Sequence, residues 1–354
     1  MPATDHSPNT LVFTGDPDSI KGVGHFNDIL HRHGLTGRLA EEFRPAGSSA
    51  VIVPVLDGDA GAVVRTLRAE GEHDFHPVPT YLDGTFLRFS RGVGHGLNFS
   101  EFTPDPDKVP PSSWPAVPEK LRRPVVALLD TGVQQHDWLP ETPADDPFLI
   151  DAEADAADRW RPDLTGGEAV AHDGTEQSRA GHGTFIAGIV RQAAPNARVL
   201  SVRVMNDQGR AQESTVRDAL EWLLGYLRRG HPVDVLCMAF GRRPGDLSDE
   251  PLRLEIERLL EDLAAQGVQA VASAGNNHQE SEIYPAASPT VIGVGAGFGG
   301  YHTEFSNFGT WVNRYRDGVN VESILPGGGW ARWSGTSFAA ANFAADLARR
   351  NVAR

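Results

Sequence analysis

The sequence has little cysteine and no visible leader. Its single cysteine, Cys237, cannot form a disulfide within the chain. Residues 1–6 carry neither the basic region nor the apolar region of a signal peptide. No apolar run reaches the length of a membrane-spanning helix. These absences predict a cytoplasmic protein that has no membrane partner.

Basic residues are also scarce. The chain has 32 lysines and arginines against 47 aspartates and glutamates, for a formal net charge of −15. We expect no nucleic-acid partner, because such a chain repels phosphate groups. Glycine is abundant, with 38 residues, and 40% of the chain is hydrophobic. A chain of 354 residues with this composition fits one large, loop-rich α/β domain plus a smaller one.

Residues 1–90 are predicted to form a small α+β domain. Strand and helix patterns follow each other there in the order β-α-β-β-α-β, which is the ferredoxin-like plan. The candidate strands are 11–13, 38–44, 49–56 and 74–78, and the candidate helices are 19–33 and 59–70. Residues 91–123 contain six prolines and are predicted to be a linker.

Residues 124–354 are predicted to form the larger domain, which alternates strand-like and helical runs. The strand candidates are 125–129, 199–204, 233–238, 268–273 and 291–295, and the helix candidates are 182–192, 214–229 and 251–266. This alternation predicts a mostly parallel sheet covered on both faces, a three-layer α/β/α fold. In such sheets, ligands bind at the C-terminal ends of the strands.

Four polar residues of this domain follow strands or open helices. Asp130 ends an apolar run, and Asn276 follows another. His182 opens a helix within Gly-His-Gly, and Ser337 lies in the first turn of an Ala-rich helix. Taken singly, each has an ordinary interpretation as a capping, packing or turn residue.

Together, the four side chains supply what acyl transfer needs. A serine hydroxyl is a weak nucleophile until an imidazole accepts its proton, and a carboxylate must fix the tautomer of that imidazole. The oxyanion needs donors already in place, and Asn276 Nδ2 and the Ser337 backbone N–H are the candidates. Asp-Thr-Gly at Asp130 also occurs in aspartic proteases, but these need a second copy, which the chain lacks.

Residues 124 to about 348 resemble the catalytic domain of the subtilisin-like serine proteases, the subtilases. The resemblance is carried by residues 126–132, 181–188, 272–276 and 334–339. They contain Asp, His and Ser in the order of the family. The resemblance implies Asp130 as orienting carboxylate, His182 as general base and then acid, Ser337 as nucleophile and Asn276 as oxyanion donor. We expect an intracellular, bacterial serine endopeptidase that needs no cofactor.

The resemblance also implies a cleft for a peptide or protein substrate, which the family binds as an extended strand between two backbone edges. The residues that match the edges and the walls of the specificity pocket are Gly209, Arg210, Ala211, Ala239, Phe240, Gly241, Ser273, Ala274 and Gly275. Ile283 occupies a position where relatives often carry a small residue. We therefore expect a short pocket that favours small or modest apolar side chains.

The chain departs from the family pattern at several points. Ala341 replaces a proline, and residues 189–195 lack the loop that builds the family's high-affinity calcium site, so we expect no metal there. The acidic segment 145–158 is interpreted as a solvated surface, with a weak metal site as the alternative. Only 17 residues follow Ser337, so we expect a catalytic domain that is short at its C-terminal end.

Several alternatives stay open. Residues 1–90 resemble in plan the propeptide of the family, which assists folding and plugs the cleft, but they could instead be a retained regulatory domain. The protease could mature a dedicated precursor peptide, or it could be a defence effector held silent by a regulatory protein partner. The chain could also be a non-catalytic peptide-binding module that keeps the same groove.

Overall fold

The computed structural model describes most of the two predicted domains. The described residues are 6–13, 23–40, 44–45, 51–83, 100–102, 121–134, 136–140, 147–151, 181–205, 209–243 and 251–351. The chain divides into two compact units. The first comprises Met1–Tyr81, Ala211–Glu221 and Gly245–Leu259, and the second comprises Leu82–Arg210, Trp222–Pro244 and Leu260–Arg354. Among the described residues, no helix has the length and apolar character needed to cross a membrane.

The N-terminal part of the first unit contains an antiparallel sheet and two complete helices. Its elements are β1 (His6–Phe13), α1 (Gly24–Arg32), β2 (Arg38–Leu39), β3 (Arg44–Pro45), β4 (Val51–Leu56), α2 (Ala60–Ala69) and β5 (Phe75–Asp83), whose last two residues belong to the second unit. Strand β1 pairs with β4 and β5, and β2 and β3 both pair with β4. The resulting order, β5-β1-β4-β2, is that of the ferredoxin-like plan.

Local signals explain these elements. The Asp59 carboxylate caps α2 by accepting a hydrogen bond from Ala62 N at 2.8 Å. The rings of Phe13, Phe26 and Phe75 bring β1, α1 and β5 together, with centroids 4.9–6.5 Å apart. The first helix was predicted over residues 19–33, and α1 begins at Gly24. Residues 14–22 lie outside the described part of the chain.

The second unit is organised around a mostly parallel sheet. The strands of this sheet are β7 (Val125–Asp130), β8 (Leu149–Asp151), β9 (Arg198–Arg203), β11 (Val235–Met238), β13 (Gln269–Ser273), β14 (Val291–Phe298), β15 (Tyr301–His302) and β16 (Arg314–Arg316). Their order is β15-β14-β13-β11-β7-β9-β8, with β16 beside β14, and only β15 pairs antiparallel. Every residue of β7 and β11 is buried, which explains their continuous apolar sequences.

The helices of the α/β/α fold that the sequence predicted are α3 (His182–Ala193), α4 (Glu213–Arg228), α5 (Pro251–Ala265) and α6 (Thr336–Asn351). The first unit includes α4 up to Glu221 and α5 up to Leu259. Helices α3 and α6 pack on each other, and α6 packs on β11, β13 and β14. Ala341, for which the family resemblance implied a proline, is fully buried inside the continuous helix α6.

A small third sheet includes part of the predicted linker. Strand β6 (Ser100–Phe102) pairs antiparallel with β18 (Trp330–Trp333), which pairs with β17 (Val321–Ile324). The described part of residues 91–120 is therefore a strand rather than a bare connection. The predicted domain boundaries stay predictions. The first unit also includes Ala211–Glu221 and Gly245–Leu259, which the sequence placed in the larger domain.

Candidate active site

Asp130 ends β7 at the C-terminal edge of the parallel sheet and is 2% exposed. Its Oδ1 accepts hydrogen bonds from the backbone N–H of Thr131 at 2.8 Å and from His182 Nδ1 at 2.8 Å. The Thr131 hydroxyl lies 3.3 Å from the same oxygen. The carboxylate is therefore held in one orientation, with the imidazole of His182 as one of its donors.

The glycines around His182 let the base approach this carboxylate. Gly181 caps α3 with a left-handed backbone, at a φ of 96°. A Cβ on Gly183 would overlap the Gly132 carbonyl oxygen and come within 3.3 Å of Asp130 Oδ1. Only glycine allows the helix to start this close to the strand end. The Gly-His-Gly motif thus has a local geometric cause.

Ser337 lies in the first turn of α6 and is fully buried. Its hydroxyl donates a hydrogen bond to the Ala239 carbonyl at 3.1 Å. A hydroxyl has one proton, so donation to His182 requires that proton to turn away from the Ala239 carbonyl about the Cβ–Oγ bond of Ser337. The imidazole of His182 lies beside the serine turn, with 5.7 Å between its centroid and that of the Phe338 ring.

Asn276 follows β13 and is bonded to the same turn. Its Oδ1 accepts a hydrogen bond from Thr336 N at 2.8 Å, and Gly275 N donates to the Thr336 hydroxyl at 3.0 Å. Asn276 Nδ2 is buried and has no hydrogen-bond partner among the described residues. It lies 3.5 Å from the place where a Cβ on Gly335 would stand. Leaving a buried donor without a partner costs the folded protein about 1–3 kcal/mol. A ligand oxygen that accepted a hydrogen bond from Asn276 Nδ2 would recover part of this free energy, so the donor is available to a ligand.

Two of the predicted substrate segments converge on Ile283. The first segment holds Ala239 and β12 (Phe240–Gly241), and the second holds Ser273, Ala274 and Gly275. A Cβ on Gly241 would overlap Ile283 Cγ2, and one on Gly275 would lie 3.6 Å from Ile283 Cγ1. The Ile283 side chain is 5% exposed. It fills the space between the two predicted pocket walls.

The third predicted segment lies in another strand. Arg210 and Ala211 belong to β10 (Arg210–Gln212), and Gly209 precedes this strand with a φ of 68°. Within the second unit, β12 pairs antiparallel with the last residues of β5, Phe240 opposite Asp83 and Gly241 opposite Leu82. The sequence predicted a strand only to residue 78 and gave no signal for this pairing.

Two threonines of the motifs have roles that sequence reasoning missed. The Thr131 hydroxyl accepts a hydrogen bond from Gly183 N at 3.0 Å, which joins β7 to α3. Thr336 joins the serine turn to the Asn276 loop through its N–H and its hydroxyl. Their positions beside Asp130 and Ser337 were the only signal for these roles.

Cys237 lies in β11 and is 1% exposed. Burial, and to a smaller extent the negative charge of Asp130, raises the pKa of its thiol far above the usual range. The thiol therefore stays protonated and is no rival nucleophile.

The described residues contain no cluster of three or more histidine, cysteine, aspartate or glutamate side chains that could hold a metal ion. Residues 194–197 form the whole connection between α3 and β9. Of the acidic segment 145–158, residues 147–151 are described and the remainder lies outside the described ranges.

These features define an α/β protein with a buried aspartate–histidine pair beside a serine at the start of a helix. The chain belongs to the subtilase family, Peptidase S8, whose profile matches residues 122–351.

The relatives are distant. Subtilisin NAT of Bacillus subtilis subsp. natto is 27% identical over 209 residues, which are 54% of this chain and 51% of that protein. Subtilisin BL of Lederbergia lenta is 28% identical over 227 residues, covering 60% of this chain and 71% of that protein. The chain thus spans about half the length of subtilisin NAT. The structure of the prenylagaramide maturation protease PagA is 24% identical, with a TM-score of 0.47 over 63% of this chain and 72% of that chain.

Proposed function

We propose that the chain is a serine endopeptidase that hydrolyses peptide bonds through an acyl-enzyme. The observation that carries the proposal is the buried hydrogen bond of 2.8 Å between Asp130 and His182, placed beside the turn that holds Ser337. Because an aspartate on Nδ1 fixes the imidazole tautomer, Nε2 is the atom that can accept a proton. Family membership of residues 122–351 supports the same assignment.

The reaction follows from these positions. The Ser337 hydroxyl turns its proton from the Ala239 carbonyl to His182 Nε2, and Oγ attacks the scissile carbonyl carbon as that proton is transferred. Asn276 Nδ2 and the Ser337 N–H donate to the oxyanion. His182 then protonates the leaving amine as the C–N bond breaks, which leaves an acyl group on Ser337. Water, deprotonated by His182, hydrolyses this ester and restores the serine.

A serine-directed fluorophosphonate tests the proposal against the rival peptide-binding module. We expect labelling of the unaltered protein and loss of the label in Ser337→Ala and His182→Ala. Ser334→Ala is the matched control, because Ser334 is a nearby serine that accepts a hydrogen bond from Asn320 N and has no proposed catalytic role. We expect Ser334→Ala to be labelled as strongly as the unaltered protein. Failure to label the unaltered protein, or a label that persists in Ser337→Ala, would reject the proposal.

The substrate is proposed to be a peptide or protein with a small or modest apolar side chain at the cleaved position. Ile283 supports this preference because it fills the space between Gly241 and Gly275. In Ile283→Gly we expect kcat/KM for a phenylalanine substrate, relative to its alanine counterpart, to rise by about 10- to 200-fold. Ile283→Val should give a smaller rise. A peptide library in which the unaltered protein prefers Phe, Tyr or Arg would contradict this reading.

We also propose that the chain is its own first substrate, as the propeptide-like plan of residues 1–90 implies. Leu82 and Asp83 support this, because they pair with β12, an edge that matches the family's substrate-binding strand. Intact mass should show the purified protein shortened by cleavage within residues 90–123, and Ser337→Ala should keep its full length. Equal masses would instead favour a retained regulatory domain.

The remaining expectations stay predictions. They are the cytoplasmic location, the bacterial origin, a regulatory protein partner, and the choice between precursor maturation and defence. Purification of the protein with its bound proteins and identification of its cleaved peptides would separate the last two roles.

A further inference from the structure

Asn307, between β15 and β16, is fully buried and bonded to a single loop. Its Oδ1 accepts hydrogen bonds from Asn277 N and Gln279 N, each at 3.0 Å. Its Nδ2 donates to the Ala274 carbonyl at 2.8 Å, and its backbone N–H donates to the Gly275 carbonyl at 2.9 Å. These partners precede and follow Asn276, so Asn307 holds both sides of the proposed oxyanion donor.

Backbone hydrogen bonds from the same segment also reach the loop, from His278 N to the Phe305 carbonyl at 2.9 Å and from Phe308 N to the Gln279 carbonyl at 3.0 Å, but Asn307 is the side chain that bonds both sides of Asn276. Asn277 and His278 are exposed, and Gly275 adopts a left-handed backbone with a φ of 94°. A Cβ on Gly275 would lie 2.6 Å from Asn307 Nδ2, so glycine is required for the amide to approach. Because the amide is buried and well bonded, small displacements of the loop would break favourable hydrogen bonds.

The hydrogen-bond network of Asn307 is anchored to the central sheet. The hydroxyl of Ser306 donates to the Asn307 carbonyl at 2.9 Å and accepts from Ala296 N, in β14, at 3.0 Å. The Asn276 loop is thus bonded to β14 on one side through Asn307. On the other side, Asn276 Oδ1 is bonded to Thr336 N, next to Ser337, at 2.8 Å.

From this network we infer that Asn307 is a positioning residue that acts through Asn276. It fixes the backbone of the loop so that Asn276 Nδ2 is aimed at the oxyanion before substrate arrives. The inference rests on the proposed serine-protease function. An oxyanion donor works because it is already in place, and an error of about 1 Å can cost about 10²-fold in rate.

Asn307→Ala is therefore expected to lower kcat by about 10- to 100-fold, with a smaller change in KM, because the oxyanion forms only on the way to the transition state. Asn307→Asp keeps the oxygen that accepts from Asn277 N and Gln279 N but loses the donor to Ala274, and it should lose less activity. The matched control is Asn313→Ala, since Asn313 Oδ1 accepts from Gly293 N at 2.7 Å in the same sheet without touching the loop. This control should keep its kcat.

A double-mutant cycle with Asn276→Ala separates positioning from general support of the fold. If Asn307 acts through Asn276, Asn307→Ala should change kcat by less than about threefold once Asn276 is alanine. If the loss of kcat in the double variant equals the product of the losses in the two single variants, the inference is overturned while the protease assignment stays intact. Absence of peptidase activity in the unaltered protein would overturn both. If Asn307→Ala does not fold, the same cycle is measured with Asn307→Asp, with thermal unfolding as the check on folding.

Discussion

Replacing Ser337 or His182 by alanine is expected to lower kcat for a peptide substrate by about 10⁶-fold, the loss that these roles show in subtilisin. Replacing both should cost no more than replacing one, because attack by Oγ and proton transfer to Nε2 belong to a single step. Asp130→Asn should lose about 10⁴-fold, since the amide stabilises the wrong tautomer of His182 while its shape is preserved.

The measurement is single-turnover and steady-state cleavage of a peptide with a chromogenic leaving group. His302→Ala is the control for His182→Ala, because His302 is an exposed histidine of the same unit whose Nδ1 bonds the neighbouring Thr303 carbonyl and whose ring stacks on that of Phe308, apart from the proposed catalytic residues. We expect this control to keep its kcat. Losses that multiply between Ser337→Ala and His182→Ala would contradict a shared chemical step.

The proposed catalytic residues could be predicted because each lies in a short motif whose other residues are required by the local backbone geometry. Gly183 has no side chain because a Cβ would strike the Gly132 carbonyl oxygen, so the Asp-Thr-Gly and Gly-His-Gly motifs constrain each other. The central strands of the fold could also be predicted from the sequence. Strands β7 and β11 are buried throughout, and uninterrupted apolar sequence is the signature of that position.

Features that depend on contacts distant in sequence were missed. Asn307 is separated in sequence by 33 residues from Ala274, the loop residue to which its side chain donates. In the sequence, an asparagine outside a motif resembles an ordinary turn residue. Strand β6 is three residues long within a proline-rich stretch, and its pairing with β18 is made by backbone groups. The pairing of Leu82 and Asp83 with β12 is likewise a backbone contact, which side-chain patterns cannot reveal.

Asn276→Ala is expected to lower kcat by about 10²- to 10³-fold and to leave KM nearly unchanged. Asn276 Nδ2 is buried without a partner among the described residues, and the oxyanion, which exists only on the way to and from the acyl-enzyme, would supply one. Substrate in its ground state gains little from this donor. The loss therefore appears in the chemical step, which steady-state kinetics with a fast-leaving ester and a slow-leaving amide can isolate.

Alanine also removes the acceptor for Thr336 N, so Asn276→Asp is the variant that decides the role. Its carboxylate can still accept from Thr336 N, as Asn276 Oδ1 does at 2.8 Å, but it presents a negative charge where the oxyanion forms. We expect Asn276→Asp to lose at least as much kcat as Asn276→Ala. Asn342→Ala serves as control, because Asn342 lies in the same helix as Ser337 but donates to the Asp317 carbonyl, which is not part of the proposed catalytic site. Full activity in Asn276→Asp would show that Asn276 only supports the serine turn, and the oxyanion assignment would be wrong.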